Sequence, residues 1–506
     1  MQKKHYTYLL PTTFCLLLLL SSCGSNYTPQ KTYPIELLRQ DFRLMRLALE
    51  SYHPGIYRYT SPDSMQWIFD QTAQQLTHDM TEQEFRRTLN PIFSYIRCGH
   101  TNIYSSNQYT KYLKRNKPKE QTLSIIYLQN RLVIAQNRSK DTLLKAGARI
   151  VAVNDKPISV VIDEMRRLIP SDGYNQTFKN VVLSNQFGDM YRYWSGRKDS
   201  IKLSVQLPTG LTHTTMLALH PPVKDSSKTS KIATSTNRTS DSLKVAAKIP
   251  KPKTIKHNKR RSLIISEKDS TVAILDINTF GRYTYQSFNR QAFRFLKNNN
   301  IQHLIIDLRS NGGGRSDAST DLMRYLLKER FVVYDTIDSK KGKPSFNRYY
   351  GNKFFRFVSR NVFSKKLPSG HLRHRAAGRV IRPNKRLQFG GKVYLLTNGG
   401  AFSAAAIFAS MVRQYNPNAT VIGRETGGGR HGCNAFISPY LQLPHTKVKV
   451  RIPMYKIVLH VPGNDQGRGV MPDYPVEHTF DDVRKNRDAD VEKAYELIKT
   501  NSVAIP

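Results

Sequence analysis

The stretch GKVYLLTNGGAFSAAAIFAS, Gly391–Ser410, decides the fold. It opens with a continuous apolar run of the kind a buried strand needs, and it ends in a small-residue helical pattern. The turn between them holds one hydroxyl, on Ser403, among glycines and alanines. Two meanings fit. Small residues let a helix pack closely on a sheet. Equally, the turn can expose a nucleophile where the N–H groups of a helix start stand ready for an anion.

The surrounding chain supplies the context. STVAILDINTF and IQHLIIDLRS read as buried strands with the helical YQSFNRQAFRFLKNN between them, and ATVIGRE follows as another strand. Alternating strand and helix predicts a largely parallel sheet covered by helices over residues 263–506. A basic, aromatic insertion at about 340–388 interrupts it, as a substrate-facing flap or a surface excursion. Upstream, residues 23–118 read as helices. PIELLRQDFRLMRLALESYHP has apolar residues every three or four positions, and Thr81 with Glu84 forms a capping-box pattern. Residues 119–222 read as β-rich, and 223–262 as a flexible Ser/Thr/Lys-rich linker, too poor in large apolar residues to order itself.

The N-terminus MQKKHYTYLLPTTFCLLLLLSSCGSN has a basic start, a short apolar stretch and small residues before Cys23. That is a secretory signal over residues 1–22. LSSC resembles a bacterial lipoprotein processing site, which implies lipid on Cys23 and a tether to the cell envelope, periplasmic or outer-membrane. No later run is apolar enough to span a bilayer, so the mature protein is expected to be soluble apart from that tether. Of four cysteines, Cys98 and Cys433 then remain, and spacing does not decide whether they pair. No Cys/His cluster has metal-ligand spacing, so no metal is expected. Lys and Arg number 79 against 37 Asp and Glu, for a net charge of +42. The excess is spread along the whole chain, and export argues against nucleic acid. A polyanionic envelope surface or an acidic substrate is the partner such charge would favour, and a generally basic proteome accounts for it without any partner.

Three features sit where strands end, the place open α/β sheets put their ligands. They are DLRSNGGGRSD (Asp307–Asp317), the turn at Ser403, and GRETGGGRHG (Gly423–Gly432). No Gly-Lys-Ser/Thr follows the first, which excludes a phosphate loop. In this order, and with GRGVMPDYPV after them, they resemble the C-terminal-processing, or tail-specific, serine peptidases and the related tricorn core. GHT at Gly99–Thr101 and SYHPGIYRYT at Ser51–Thr60 resemble exported members of that family. LLKAGARIVAVNDKPI resembles part of a PDZ domain. The resemblance implies an α/β catalytic core of ClpP/crotonase type, a helical N-terminal domain and a PDZ-like β-domain insert.

It also implies chemistry. Ser403 would be the nucleophile of a serine endopeptidase acting on extended polypeptides, with no organic cofactor. A serine needs a base. One branch of the family uses a lysine in a turn that here reads TGGGRHG. Gly429 stands in its place, and Arg430 stays protonated and cannot serve. The tricorn branch uses a GHT histidine, here His100, although Cys98 replaces the usual Asp of Asp-Gly-His-Thr. His431 is a lesser candidate. That branch's orienting Glu is missing from PGNDQGRGVMPD, which leaves Asp465 or Gln466. Gly312 or Gly313, with Ala404, would supply the oxyanion N–H groups. The missing lysine, Asp and Glu keep open a peptide-binding pseudopeptidase of the same fold, and the charge keeps open a polyanion-binding envelope protein. Oligomeric state is not legible.

Overall fold

The computed structural model describes residues 27–116, 123–196, 200–218, 254–258, 260–281, 284–340, 344–351, 357–359 and 361–503. The signal segment, Cys23 and most of the expected linker lie outside them.

The buried runs of the C-terminal half form one seven-stranded sheet. Its order is Thr254–Asn258, Arg261–Ile265, Val272–Ile277, His303–Asp307, Lys392–Thr397, Ala419–Gly423 and Tyr474–Pro475. The first three strands are antiparallel neighbours, and the rest run parallel. Successive side chains point to opposite faces. Leu304, Ile306, Val393 and Leu395 join the helices Tyr285–Asn298, Ser316–Met323 and Ala404–Tyr415 in one core. Ile305, Tyr394 and Leu396 face the C-terminal helix Ala489–Val503 through Ala494 and Ile498. A sheet covered on both faces explains why its strands read as unbroken apolar runs.

The expected linker is corrected at its end. Thr254–Asn258 is an edge strand paired with Arg261–Ile265. The basic insertion is no free excursion either. Leu372–His374 pairs with Tyr334–Ser339, which in turn pairs with Tyr455–Leu459.

The N-terminal helices Ile35–Tyr52, Pro62–Gln74 and Glu82–Ile96 bury their apolar stripes together. The Thr81–Glu84 capping box is formed in both directions. This core also takes in Leu441, Leu443, Val448, Val450 and Ile452 from the far end of the chain. The strand Asn102–Tyr104 pairs with Lys449–Arg451, which stitches the Gly-His-Thr segment to the catalytic half. The β-domain has strands Leu123–Leu128, Arg131–Asn137, Arg149–Val153, Ser200–Gln206 and Thr212–Ala218. Asn154 and Asp155 both take positive φ in the tight Asn-Asp turn. The region read as β-rich also contains two helices, Ile158–Arg167 and Thr177–Ser195.

Candidate active site

Ser403 ends the turn after the strand Lys392–Thr397 and begins the helix Ala404–Tyr415. Its backbone sits at φ 55°, ψ −123°. A residue with a Cβ rarely adopts this conformation, and it persists only when its surroundings impose it. Those surroundings are visible. Asn398 folds the turn by accepting from Gly400 N–H through Oδ1 and from Ala401 N–H through its carbonyl. Phe402 N–H donates to Asn311 O at 3.0 Å, and Gly427 N–H donates to Ala401 O at 3.0 Å. The three strand-end loops therefore hold the serine between them.

The Gly-rich loop approaches closest at Gly313, which has φ 99°. A Cβ there would lie 2.7 Å from both Ser403 Cβ and Phe402 O, so only glycine fits. Gly313 N–H donates to Asn311 Oδ1 at 2.9 Å. It is spent, which corrects the expectation that it could stabilise an oxyanion. Within the described residues, no hydrogen bond engages Gly312 N–H or Ala404 N–H.

His100 comes from the other end of the chain. Its Nε2 lies 3.1 Å from Ser403 Oγ. The ring stacks on Phe402, centroids 4.7 Å apart, and Phe178 of the β-domain packs beyond it at 4.8 Å. Gly99 makes this possible, because a Cβ there would meet the Phe402 ring at 2.7 Å. His53 braces the next residue, with Nε2 2.8 Å from Thr101 Oγ1, while its Nδ1 accepts from Gly55 N–H. Burial, helped by Arg451, lowers the His100 pKa to about 3. At neutral pH the ring is uncharged, as a base must be. Its Nδ1 is buried and has no hydrogen-bond partner among the described residues.

The other expected site residues are occupied elsewhere. Asp465 does not orient His100. Its Oδ2 takes Arg58 Nε at 2.8 Å, Arg58 Nη2 at 2.6 Å and Tyr59 OH at 2.8 Å, and its Oδ1 takes Gly467 N–H. A neighbouring cation and phenol outbid the imidazole, and the pair clamps the SYHPGIYRYT segment onto the loop before GRGV. Gln466 is exposed. His431 Nε2 lies 3.2 Å from Pro462 O. Glu425 is buried under a bidentate Arg468 and accepts Gly469 N–H at 2.7 Å. Burial alone would raise its carboxyl, and Arg468 with Gly469 N–H holds it below the usual range.

Sequence reading missed Asp172. Its Oδ1 accepts Gly99 N–H at 2.8 Å. Its Oδ2 is buried with no hydrogen-bond partner among the described residues. Cys98 Sγ, a ring nitrogen of His100 and a carboxylate oxygen of Asp172 all lie within 4.8 Å of one another. A metal would need the Cys98 thiolate, yet burial pushes that thiol up to about 11. The neutral thiol points instead to Asn434 O at 3.7 Å. Cys98 and Cys433 are both free and buried. No helix among the described residues is long and apolar enough to cross a membrane.

The comparisons with known proteins agree with this geometry. Residues 271–476 match the model of Peptidase family S41. No curated protein matches the chain. Among solved structures, mature CPAF aligns with a TM-score of 0.62 at 13% identity, over 92% of this chain and 96% of its own. Mature CPAF complexed with lactacystin gives 0.61 at 15% identity, over 92% and 98%. The photosystem II D1 C-terminal processing protease gives 0.40 at 14% identity, over 88% and 93%, too low to carry weight. At these identities the likeness is one of fold, and the family match is what bears on chemistry. Residues 271–476 are therefore a Peptidase family S41 domain, and the chain that carries it is a serine peptidase.

Proposed function

We propose that the protein is an endopeptidase of the cell envelope, tethered by lipid on Cys23, that cleaves extended polypeptides by acyl transfer through Ser403 and His100. The reading rests on one observation: His100 Nε2 lies 3.1 Å from the Oγ of a serine held in a strained turn at a helix start. His100 takes the Ser403 proton as Oγ attacks the scissile carbonyl, then returns it to the leaving amine. Water hydrolyses the acyl-enzyme by the same path. Gly312 and Ala404 N–H receive the oxyanion, and each such donor is typically worth ~10²–10³ in rate. With Gly429 where the other branch has its lysine, the histidine-dependent, tricorn-like branch is the better fit. The PDZ-like domain would capture an extended segment by strand addition.

The test is digestion of a denatured polypeptide by the mature protein, read by mass spectrometry beside Ser403→Ala and His100→Ala. Cleavage by the wild type alone supports the reading. Binding of the polypeptide without cleavage would replace it with a pseudopeptidase.

A further inference from the structure

We infer that Asp172 is the positioning residue for His100, standing in for the acid that the loop before GRGV does not provide. The inference rests on the Ser403–His100 reading and extends it. The carboxylate and the imidazole each carry one buried polar atom with no hydrogen-bond partner among the described residues, Asp172 Oδ2 and His100 Nδ1. Leaving such atoms unsatisfied is costly, and buried polar groups are otherwise nearly always paired. A ring nitrogen of His100 and an oxygen of Asp172 lie within 4.8 Å. Closing that to a hydrogen bond of ~3.2 Å takes a shift of under ~2 Å, the kind of tightening seen when substrate binds.

The carboxylate is held for this purpose from both sides. Gly99 N–H, beside His100 in the chain, fixes Oδ1. The next residues are pinned: Gly173 N–H donates to Arg97 O at 3.0 Å, and Tyr174 N–H donates to Gly467 O at 2.8 Å. Asp172 therefore moves with the loop that carries the base.

The chemistry follows from the two nitrogens. When His100 accepts the Ser403 proton on Nε2, its ring becomes a cation in a buried site. A carboxylate accepting from Nδ1–H stabilises that cation and fixes the tautomer in which Nε2 is free to accept. No proton passes to Asp172. The charged and titratable groups facing the pair are Arg451 on the His100 side, and Arg58, Tyr59, Asp465, Cys98 and Cys433 on the Asp172 side. Burial raises the Asp172 carboxyl to about 6 against the pull of Gly99 N–H, Arg58 and Gly429 N–H. It is ionised at neutral pH.

Asp172→Asn separates this role from a merely structural one. With Oδ1 held by Gly99 N–H, the amide NH2 faces Nδ1 and forces the proton onto Nε2. Labelling of Ser403 by a fluorophosphonate, in the full mature chain, should slow by ~10²–10⁴-fold. Its loss on acidification near pH 6 should move to lower pH. A rate within twofold of wild type, with the same acid limb, would overturn the inference. A second readout needs no variant of Asp172. In 15N-histidine-labelled wild type, the His100 resonance, identified by its absence in His100→Gln, should report a neutral ring protonated on Nδ1. Protonation on Nε2 would overturn the inference even if Asp172→Asn fails to fold. If the wild type neither labels nor cleaves, the peptidase reading falls, while the tautomer still decides the Asp172–His100 pair.

Discussion

Ser403 stores backbone strain, and replacing it by glycine or by alanine should have different consequences for stability. At φ 55°, ψ −123° a residue with a Cβ costs ~1–3 kcal/mol. Alanine keeps that cost. Glycine removes it, but loses ~0.5–1 kcal/mol through the greater freedom of its unfolded chain. Both variants lose the hydroxyl and its contact with His100, so that term cancels. Ser403→Gly should therefore exceed Ser403→Ala in stability by up to about 2.5 kcal/mol. Tryptophan fluorescence does not report this turn directly, since Trp67 lies on the helix Pro62–Gln74 and Trp194 on Thr177–Ser195. Hydrogen exchange of the helix Ala404–Tyr415 in increasing urea reads the right unit. If Ser403→Ala proves as stable as Ser403→Gly, or more so, the strained turn is wrong.

Acid should weaken the fold through two buried histidines. Burial lowers both His53 and His100 to about 3. Their folded values lie below the unfolded 6.5, so their contribution is present above that pH and is lost as pH falls toward 3, about 5 kcal/mol apiece over the window. Asp172, raised to about 6, works in the opposite sense and offsets roughly 3 kcal/mol between pH 6 and 3.8. Urea midpoints should fall between pH 7 and pH 4, and His53→Gln should flatten the fall. A midpoint unchanged over that range contradicts the burial of these rings. Arg309 bonds Asp307, Asp488 and the fully buried Asp490, tying the DLR loop to the C-terminal helix. Arg309→Met should cost about 3–5 kcal/mol by removing the cation those three carboxylates share, read as a lower urea midpoint. Gly99→Ala should push Phe402 and His100 apart and slow Ser403 labelling, with unchanged circular dichroism as the control.

The parts legible in the sequence were those governed by local rules. Two-faced burial writes itself as apolar runs, so LIIDL and VYLLT could be read directly, as could the Thr81–Glu84 box. Ser403 and His100 became legible only through the resemblance, since nothing local says that residues 303 apart in sequence will meet. Asp465 misled because proximity to GRGV favoured it, while Arg58, 407 residues away, claims its carboxylate. Asp172 lies in PSDGYN with no motif around it. It reaches the neighbourhood of His100 through the long-range backbone bonds of Gly173 to Arg97 and of Tyr174 to Gly467, which no pattern in the chain encodes. The edge strand Thr254–Asn258 was hidden by its polar neighbours.

The most direct test of the central claim is to treat the mature protein with a fluorophosphonate probe and map the modified residue by peptide mass spectrometry. Attachment at Ser403, lost in His100→Ala while that variant stays folded, is the predicted result. A folded wild type that takes up no probe, or takes it up at another serine, would contradict the account.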